Sequence, residues 1–301
     1  MKKLIIAGAN GFIARYMTRH FRALGWEVVG LARRSEGLDK GCRYVNWDGE
    51  SLGDWAKELD GCDAVVNMAG SSVSCRHNEV NKKRIIHSRV ITTRVIGEAI
   101  ATCENPPEIW MNASGVSVYK NIDTAPQDED GEAGEDFMAE VVNLWEGEFY
   151  KAPISENVRR VALRTSLVMA MNEPGIAADY LVKLSQLFLG GKLASGKQMV
   201  SWIYIEDYCR AIEWIMEHKE ISGPVNMATP EPVTNAEMMR RFRKAVNRPF
   251  GLPAAGWMVK IGALILGTEA ELILKGMWVI PTKLQTHGFV FKHPEMKPWE
   301  W

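Results

Sequence analysis

At 301 residues, with 47% hydrophobic and 24% charged side chains, the chain has globular proportions and enough length for one large α/β domain carrying a smaller lobe. A formal net charge of −1 offers no global field to nucleic acid or an anionic membrane, and no apolar run approaches the roughly 18 residues a spanning helix needs. Five cysteines, an odd number with no C-x-x-C pair, argue against a disulfide framework and for a reducing, cytoplasmic compartment, and six histidines without ligand spacing predict no metal site.

The elements follow in chain order. Leu4-Ile5-Ile6-Ala7 reads as a buried strand, too short behind Lys2 and Lys3 to be a secretion signal. Gly8-Ala9-Asn10-Gly11-Phe12-Ile13-Ala14 follows as a turn, and residues 15–24 have helical character. A second strand is predicted over 27–32 and a third over 63–69, ending at Gly70. Residues 88–102 carry helical apolar spacing, stopped by Pro106 and Pro107. A fourth strand over 109–114, a helix over 137–150 and a fifth strand over 158–169 continue the alternation.

Beyond residue 172 come a glycine-rich loop over 190–198, a strand over 199–205 and a helix opened by Glu206 and Asp207. A proline-punctuated C-terminal region holds Trp257, Trp278, Trp299 and Trp301, read as core and lobe-closing residues. The pattern predicts an α/β chain: a Rossmann-type doubly wound parallel sheet with a small, mostly helical C-terminal lobe. Residues 1–172, with the strand and helix near 199–218, form the nucleotide-binding domain, and 173–198 and 219–301 form the lobe.

Strand, glycine turn and helix in succession are the layout that holds a dinucleotide pyrophosphate, because small residues admit the phosphates and the helix N-terminus offers free N–H groups. Gly8, Asn10, Gly11, Phe12 and Ile13 are the candidate cofactor-binding residues, with Ala14 at the third small position. The end of the second strand reads Leu31-Ala32-Arg33-Arg34, with two guanidinium groups where NAD sites place a carboxylate. Arg33 and Arg34 therefore favour NADP, with NAD less favoured, against the alternative of a solvated basic turn. Met68, Ala69 and Gly70 end the third strand at the crevice, and Arg89 can reach a phosphate or ribose or else lie on the surface.

Gly8-x-x-Gly11-Phe12-Ile13, Asn67-Met68-Ala69-Gly70 and the strand ending at Ser114 resemble an extended short-chain dehydrogenase/reductase. The resemblance is closer to an atypical epimerase-like branch, family 39U, whose C-terminal extension is a domain of unassigned function. Arg164-Thr165-Ser166-Leu167-Val168, Gly190-Gly191 through Gly196-Lys197-Gln198, Ser201-Trp202-Ile203 and Pro230-Glu231-Pro232 carry it onward, so that it covers nearly the whole chain. It implies a Rossmann sheet, an NADP-type cofactor that Val168 also contacts, and dimerisation through the helices near 80–103 and 137–150.

Members of the wider superfamily carry Tyr-x-x-x-Lys on the helix after the fourth strand, where lysine lowers the tyrosine pKa for proton transfer. No tyrosine here has lysine four residues later; that helix begins with Phe137, and Val141 takes the lysine position. Ser114 and Tyr119 are the replacement candidates for catalysis, with Lys120 beside them, and each has a structural alternative in a strand end, a packed ring or a solvated charge. Glu140 and Glu146 read as solvated or interface residues. The expected function is an NADP-dependent epimerase-like oxidoreductase acting on a small polar or nucleotide-sugar substrate held near Ser114, Tyr119 and Trp202. The alternative is a weakly active or inactive NADP-binding regulator.

Overall fold

Runs such as Leu4-Ile5-Ile6-Ala7 and Ala64-Val65-Val66-Asn67 are at most 1% exposed, which requires a covering layer on each face of their sheet. The computed structural model, which describes residues 1–122, 124–171, 173 and 176–300, supplies both layers. Its first half runs β1 (Lys3–Ala7), α1 (Phe12–Ala23), β2 (Glu27–Ala32), β3 (Arg43–Asn46), β4 (Ala64–Asn67), α2 (Glu79–Ala101), β5 (Ile109–Gly115), α3 (Phe137–Lys151) and β6 (Arg159–Thr165). There follow β7 (Leu167–Met169), α4 (Ala177–Gln186), β8 (Met199–Val200), β9 (Trp202–Tyr204), α5 (Ile205–Glu217) and β10 (Gly223–Met227). The chain closes with β11 (Val233–Thr234), α6 (Asn235–Ala245), α7 (Gly256–Ile265), α8 (Glu271–Leu274) and α9 (Thr282–Thr286).

Seven strands form one sheet in the order β10–β6–β5–β4–β1–β2–β3, every neighbouring pair parallel. Successive side chains alternate between its faces. Leu4, Ile6, Val66 and Met111 meet Met17 and Phe21 of α1 and Ile212 and Ile215 of α5 on one face. Ile5, Val65 and Trp110 meet Val95 and Ile96 of α2 and Phe149 of α3 on the other. The smaller lobe has its own apolar cluster, in which Met238, Met239 and Phe242 of α6 surround Trp202 and Met169.

The structure corrects the predicted elements in five places. The 158–169 strand breaks at Ser166, whose N–H and Oγ both donate to the Met227 carbonyl (3.2 and 2.7 Å), so that β7 leaves the main sheet to pair with β9. The 199–205 strand divides into β8 and β9, which join two-stranded sheets outside the central one, while β10, assigned from sequence to the lobe, becomes an edge strand of the central sheet. The 88–102 helix begins at Glu79, capped by the Asn78 side chain accepting from the Asn81 N–H (2.9 Å); its polar opening carries no apolar spacing to announce it. β3 is a largely exposed edge strand with no apolar run and was not predicted.

Trp257 and Trp299 are 66% and 37% exposed and so close no core, and Trp301 lies outside the described residues. Trp202 is fully buried and donates through Nε1 to the Glu231 carbonyl (3.0 Å), which makes it a core residue rather than a substrate contact. Val141, Val142, Trp145 and Phe149 are buried within the chain, so the apolar face of α3 is consumed internally. Among the described residues no helix is long and apolar enough to cross a membrane.

Candidate functional site

The C-terminal ends of β1, β4, β5 and β6 converge at one edge of the sheet, the place where open α/β sheets bind ligands. The turn after β1 rests on Gly8, at φ +75°, where an added Cβ would lie 2.9 Å from both Cα and N of Ala69. Two backbones therefore cross in contact, which glycine alone allows. The Gly8 N–H donates to Leu31 O of β2 (2.9 Å) and the Gly11 N–H to Gly8 O (3.0 Å). Gly11 precedes α1 without a side-chain cap, so the first-turn N–H groups of Phe12 and Ile13 have no intrahelical acceptor and meet the crevice with the positive end of the helix dipole. Such a turn fits a phosphate pair.

Asn10 does not reach outward. Its Nδ2 donates to the carbonyls of Arg34 (3.0 Å) and Glu36, tying the glycine turn to the segment after β2. Arg33 and Arg34 stand exposed there. Across the turn, Asn67 is fully buried; its Oδ1 accepts from the Ala69 N–H (3.0 Å), and its Nδ2 donates to Asn112 Oδ1 (2.8 Å) and Thr93 Oγ1 (3.2 Å). Trp145 Nε1 donates to the same Thr93 Oγ1 (2.9 Å). This buried network, with every member satisfied, fixes the Met68-Ala69-Gly70 backbone against Gly8. Thr93, Asn112 and Trp145 carry no motif by which sequence reading could select them.

Arg89 projects from α2 to the same edge, its Cζ 3.3 Å from where a Gly70 Cβ would stand and 5.0 Å from the Trp145 ring centroid. Nη1 donates to the carbonyls of Ser71 (3.0 Å) and Ile85 (3.1 Å). Burial pushes its pKa down to about 10, and among the described residues no carboxylate pairs with it. A desolvated cation beside the Gly70 turn is suited to receive an anion. Val168 is farther off, half-buried in β7 and paired with Ile203.

The other half of the edge is built from side chains. Ser114, 6% exposed at the end of β5, donates through Oγ to Glu146 Oε1 at 2.5 Å. Glu146 is 8% exposed and held by partners within the chain, which corrects the expectation of a solvated or interface residue. Arg164 of β6 binds both its oxygens, Nε to Oε1 and Nη2 to Oε2, each at 2.9 Å. Two fixed N–H groups on two carboxylate oxygens hold a buried charge with a definite orientation. The available sequence signal was position: Glu146 interrupts the apolar stripe of Val142, Trp145 and Phe149 on α3.

Tyr119 is 1% exposed; its hydroxyl donates to Asn226 Oδ1 (2.8 Å) and accepts from Arg164 Nη1 (2.8 Å). Burial, against the neighbouring Arg164, pushes its pKa up to about 12. The hydroxyl is thus held by two protein partners, on β10 and β6 of the central sheet. Lys120 is exposed and pairs with Glu132 (2.6 Å). A cavity of about 450 Å³ adjoins Lys120, between the 134–136 segment and Lys260, Leu274 and Lys275 of the lobe. Lys275 pairs with Asp136 at the start of α3, and the His77 N–H donates to Glu269 (2.7 Å), so the lobe is fastened over this edge at two points.

The comparisons with known proteins agree with this architecture. The model of the NAD dependent epimerase/dehydratase family matches residues 4–139, and a domain of unknown function, DUF1731, matches residues 254–298. Epimerase family protein SDR39U1 of Homo sapiens is 30% identical over 298 residues, covering 98% of this chain and 97% of the human protein. Epimerase family protein MT2273 of Mycobacterium tuberculosis is 34% identical over 293 residues, covering 96% and 93%. A crystal structure of human SDR39U1 (isoform 2) with NADPH superposes with a TM-score of 0.87 at 30% identity, over 99% of this chain and 98% of that one. UDP-N-acetylglucosamine 4-epimerase from Bacillus cereus shares the fold at 18% identity, with a TM-score of 0.76 over 100% and 95%. With its Gly8–Ala69 crossing, its seven parallel strands and this likeness along its full length, the chain belongs to the SDR39U1-type epimerase family.

Proposed function

We propose that the protein is an NADP(H)-dependent, epimerase-like oxidoreductase acting on a small polar substrate. The observation that carries this reading is the backbone crossing at Gly8 and Ala69 beside the uncapped start of α1, with two exposed arginines at the end of β2. Gly8, Gly11, Phe12 and Ile13 would receive the pyrophosphate, Asn10 would order the loop, and Arg33 and Arg34 would meet the 2′-phosphate. Met68, Ala69 and Gly70, with Arg89 behind them, would flank the remainder, and Val168 would border the far end. The NADPH in human SDR39U1 supports the same choice. The bound nicotinamide would supply hydride exchange with a substrate carbon.

The chain's own task is the matching proton. Ser114 Oγ gives its hydrogen to Glu146, which leaves its lone pairs to accept from a substrate hydroxyl. As that hydroxyl becomes a carbonyl, Ser114 takes its proton and passes its own to Glu146, while Arg164 keeps the carboxylate aimed at Oγ. Carbonyl reduction runs the transfer in reverse. Tyr119 takes no part in this scheme.

The test is a fluorescence titration with NADPH and NADH, followed by a panel of carbonyl compounds and nucleotide sugars. NADPH should bind more tightly than NADH, and the double substitution Arg33→Ala/Arg34→Ala should remove about tenfold or more of that preference. A wild-type preference for NADH would overturn the cofactor assignment. A second reading, a cofactor-binding regulator with little turnover, draws on the hydroxyl hydrogens of Ser114 and Tyr119 both being given to protein acceptors. Tight NADPH binding without oxidation by any panel member favours it.

A further inference from the structure

The three non-glycine residues with left-handed backbone, among those described, are Phe188 (φ 60°), Ala194 (φ 50°) and Asn247 (φ 55°). For a bulky residue such as Phe188 this conformation is a real outlier, of a kind that persists where the surroundings demand it. Asn247 lines one pocket in the lobe, of about 420 Å³, together with Arg240, Arg243, Lys244, Arg248 and Pro249, and Phe188 packs behind its Arg248. It lies at the C-terminal end of α6, away from the edge of the sheet that holds Gly8 and Ser114.

The charge of this pocket is one-sided. Glu237 pairs with Arg240 (2.7 Å) and with Arg241 (2.6 Å). Among the described residues no carboxylate pairs with Arg243, Lys244 or Arg248. The two arginines are nonetheless fixed in place by main-chain oxygens: Arg243 Nη1 donates to Gly190 O (2.6 Å) and Arg248 Nε to Gln186 O (3.2 Å). The Arg248 guanidinium also lies 4.9 Å from the Phe188 ring centroid, and Phe188 in turn packs against exposed Phe250 (4.9 Å). The outlier at Phe188 therefore supplies the platform that holds Arg248. Lys244 Nζ stands 3.7 Å from the Trp299 ring centroid. Carbonyls orient a guanidinium without neutralising it, and each arginine retains N–H donors to offer. The C-terminal dipole of α6 helps to hold the three cations together while no anion is present.

We propose that this pocket binds a small phosphorylated molecule, its phosphate or diphosphate group seated among Arg243, Lys244 and Arg248. The volume is that of a small-molecule site, and a forked guanidinium pair matches phosphate oxygens two by two. A chain of net charge −1 that gathers three unneutralised cations in one concavity gains affinity there for such an anion. The proposal is independent of the cofactor assignment, since it rests on other residues.

The test is calorimetric titration of the full-length protein with inorganic pyrophosphate at about 0.15 M salt, where diffuse surface attraction is screened. Wild type should show saturable binding that Arg243→Gln/Arg248→Gln weakens by about tenfold or more. Lys244→Gln, which removes no hydrogen bond of the fold, should weaken it severalfold with an unchanged melting temperature. Saturating NADPH, which fills the crevice after β1, should leave pyrophosphate binding unchanged, which separates this pocket from the crevice of the sheet. Absence of saturable binding, affinity equal to wild type in Lys244→Gln and in the double variant, competition by NADPH, or retention of a long RNA without pyrophosphate binding would each overturn it.

Discussion

The two halves of the sheet edge solve the same problem, placing polar atoms where a ligand comes, by different means. Around Gly8 the means are backbone: a left-handed turn, a crossing at 2.9 Å from a hypothetical Cβ, and N–H groups that the start of α1 leaves open. Around Ser114 they are side chains, with Glu146, Arg164, Tyr119 and Asn226 linked in one buried chain of hydrogen bonds. The first half has donors to spare, and the second has spent nearly all of its own. A backbone site tolerates change anywhere except at its small residues, whereas a saturated side-chain network transmits the loss of one member to all the others.

Arg164→Leu should break the comparison most severely. It leaves Glu146 buried without its partner, an error that costs about 3–5 kcal/mol. Chemical denaturation should register that loss, and the double variant Arg164→Leu/Glu146→Leu should recover most of it. A single variant as stable as wild type would show that the Ser114 half is not a coupled network. Gly8→Ala comes next, at about 2–4 kcal/mol, because the new Cβ meets the Ala69 backbone and the left-handed φ resists a side chain. It should also abolish measurable NADPH binding in the fluorescence titration; a variant that melts and binds normally would remove the crossing from the argument.

Asp136→Ala sharpens the boundary between the halves at smaller cost. Asp136 caps α3, accepting from the N–H groups of Met138 (2.9 Å) and Ala139 (3.0 Å), and pairs with Lys275 of the lobe. Losing the cap costs about 0.5–2 kcal/mol. Burial raises the Asp136 pKa, but the Lys275 pair and the cap outweigh it, and the folded value lies below the ordinary carboxylate range. The stabilisation is therefore complete above the unfolded pKa of about 3.9 and is lost as pH falls through the folded value. The melting-temperature gap between wild type and variant should accordingly close in acid and stay constant near neutral pH. A gap independent of pH down to the acid limit would show that the carboxylate charge contributes nothing.

What could be read in advance divides along the same line. The glycine turn, the arginines after β2 and the Met68-Ala69-Gly70 turn are local patterns, whose neighbours in space are neighbours in sequence. Glu146 was misjudged because its partners are 32 and 18 residues away, and the acceptor of Tyr119, Asn226, was invisible because it is 107 away. The break at Ser166 depended in the same way on the distant Met227 carbonyl, and the capture of β10 by the central sheet on its pairing with β6. α3 offered the one legible hint, a carboxylate within an apolar stripe.

By itself the sequence determined the alternation of strand and helix, the two-faced burial of the strands and the position of the glycine turn, because these follow from side-chain period and from the conformational freedom of glycine. Only the tertiary structure decided that Gly8 touches Ala69, that the Tyr119 hydroxyl is held between Asn226 and Arg164, and that Ser114 faces a buried carboxylate locked by arginine. Those are contacts between elements far apart in the chain, and their chemistry exists only once packing has excluded water from between them.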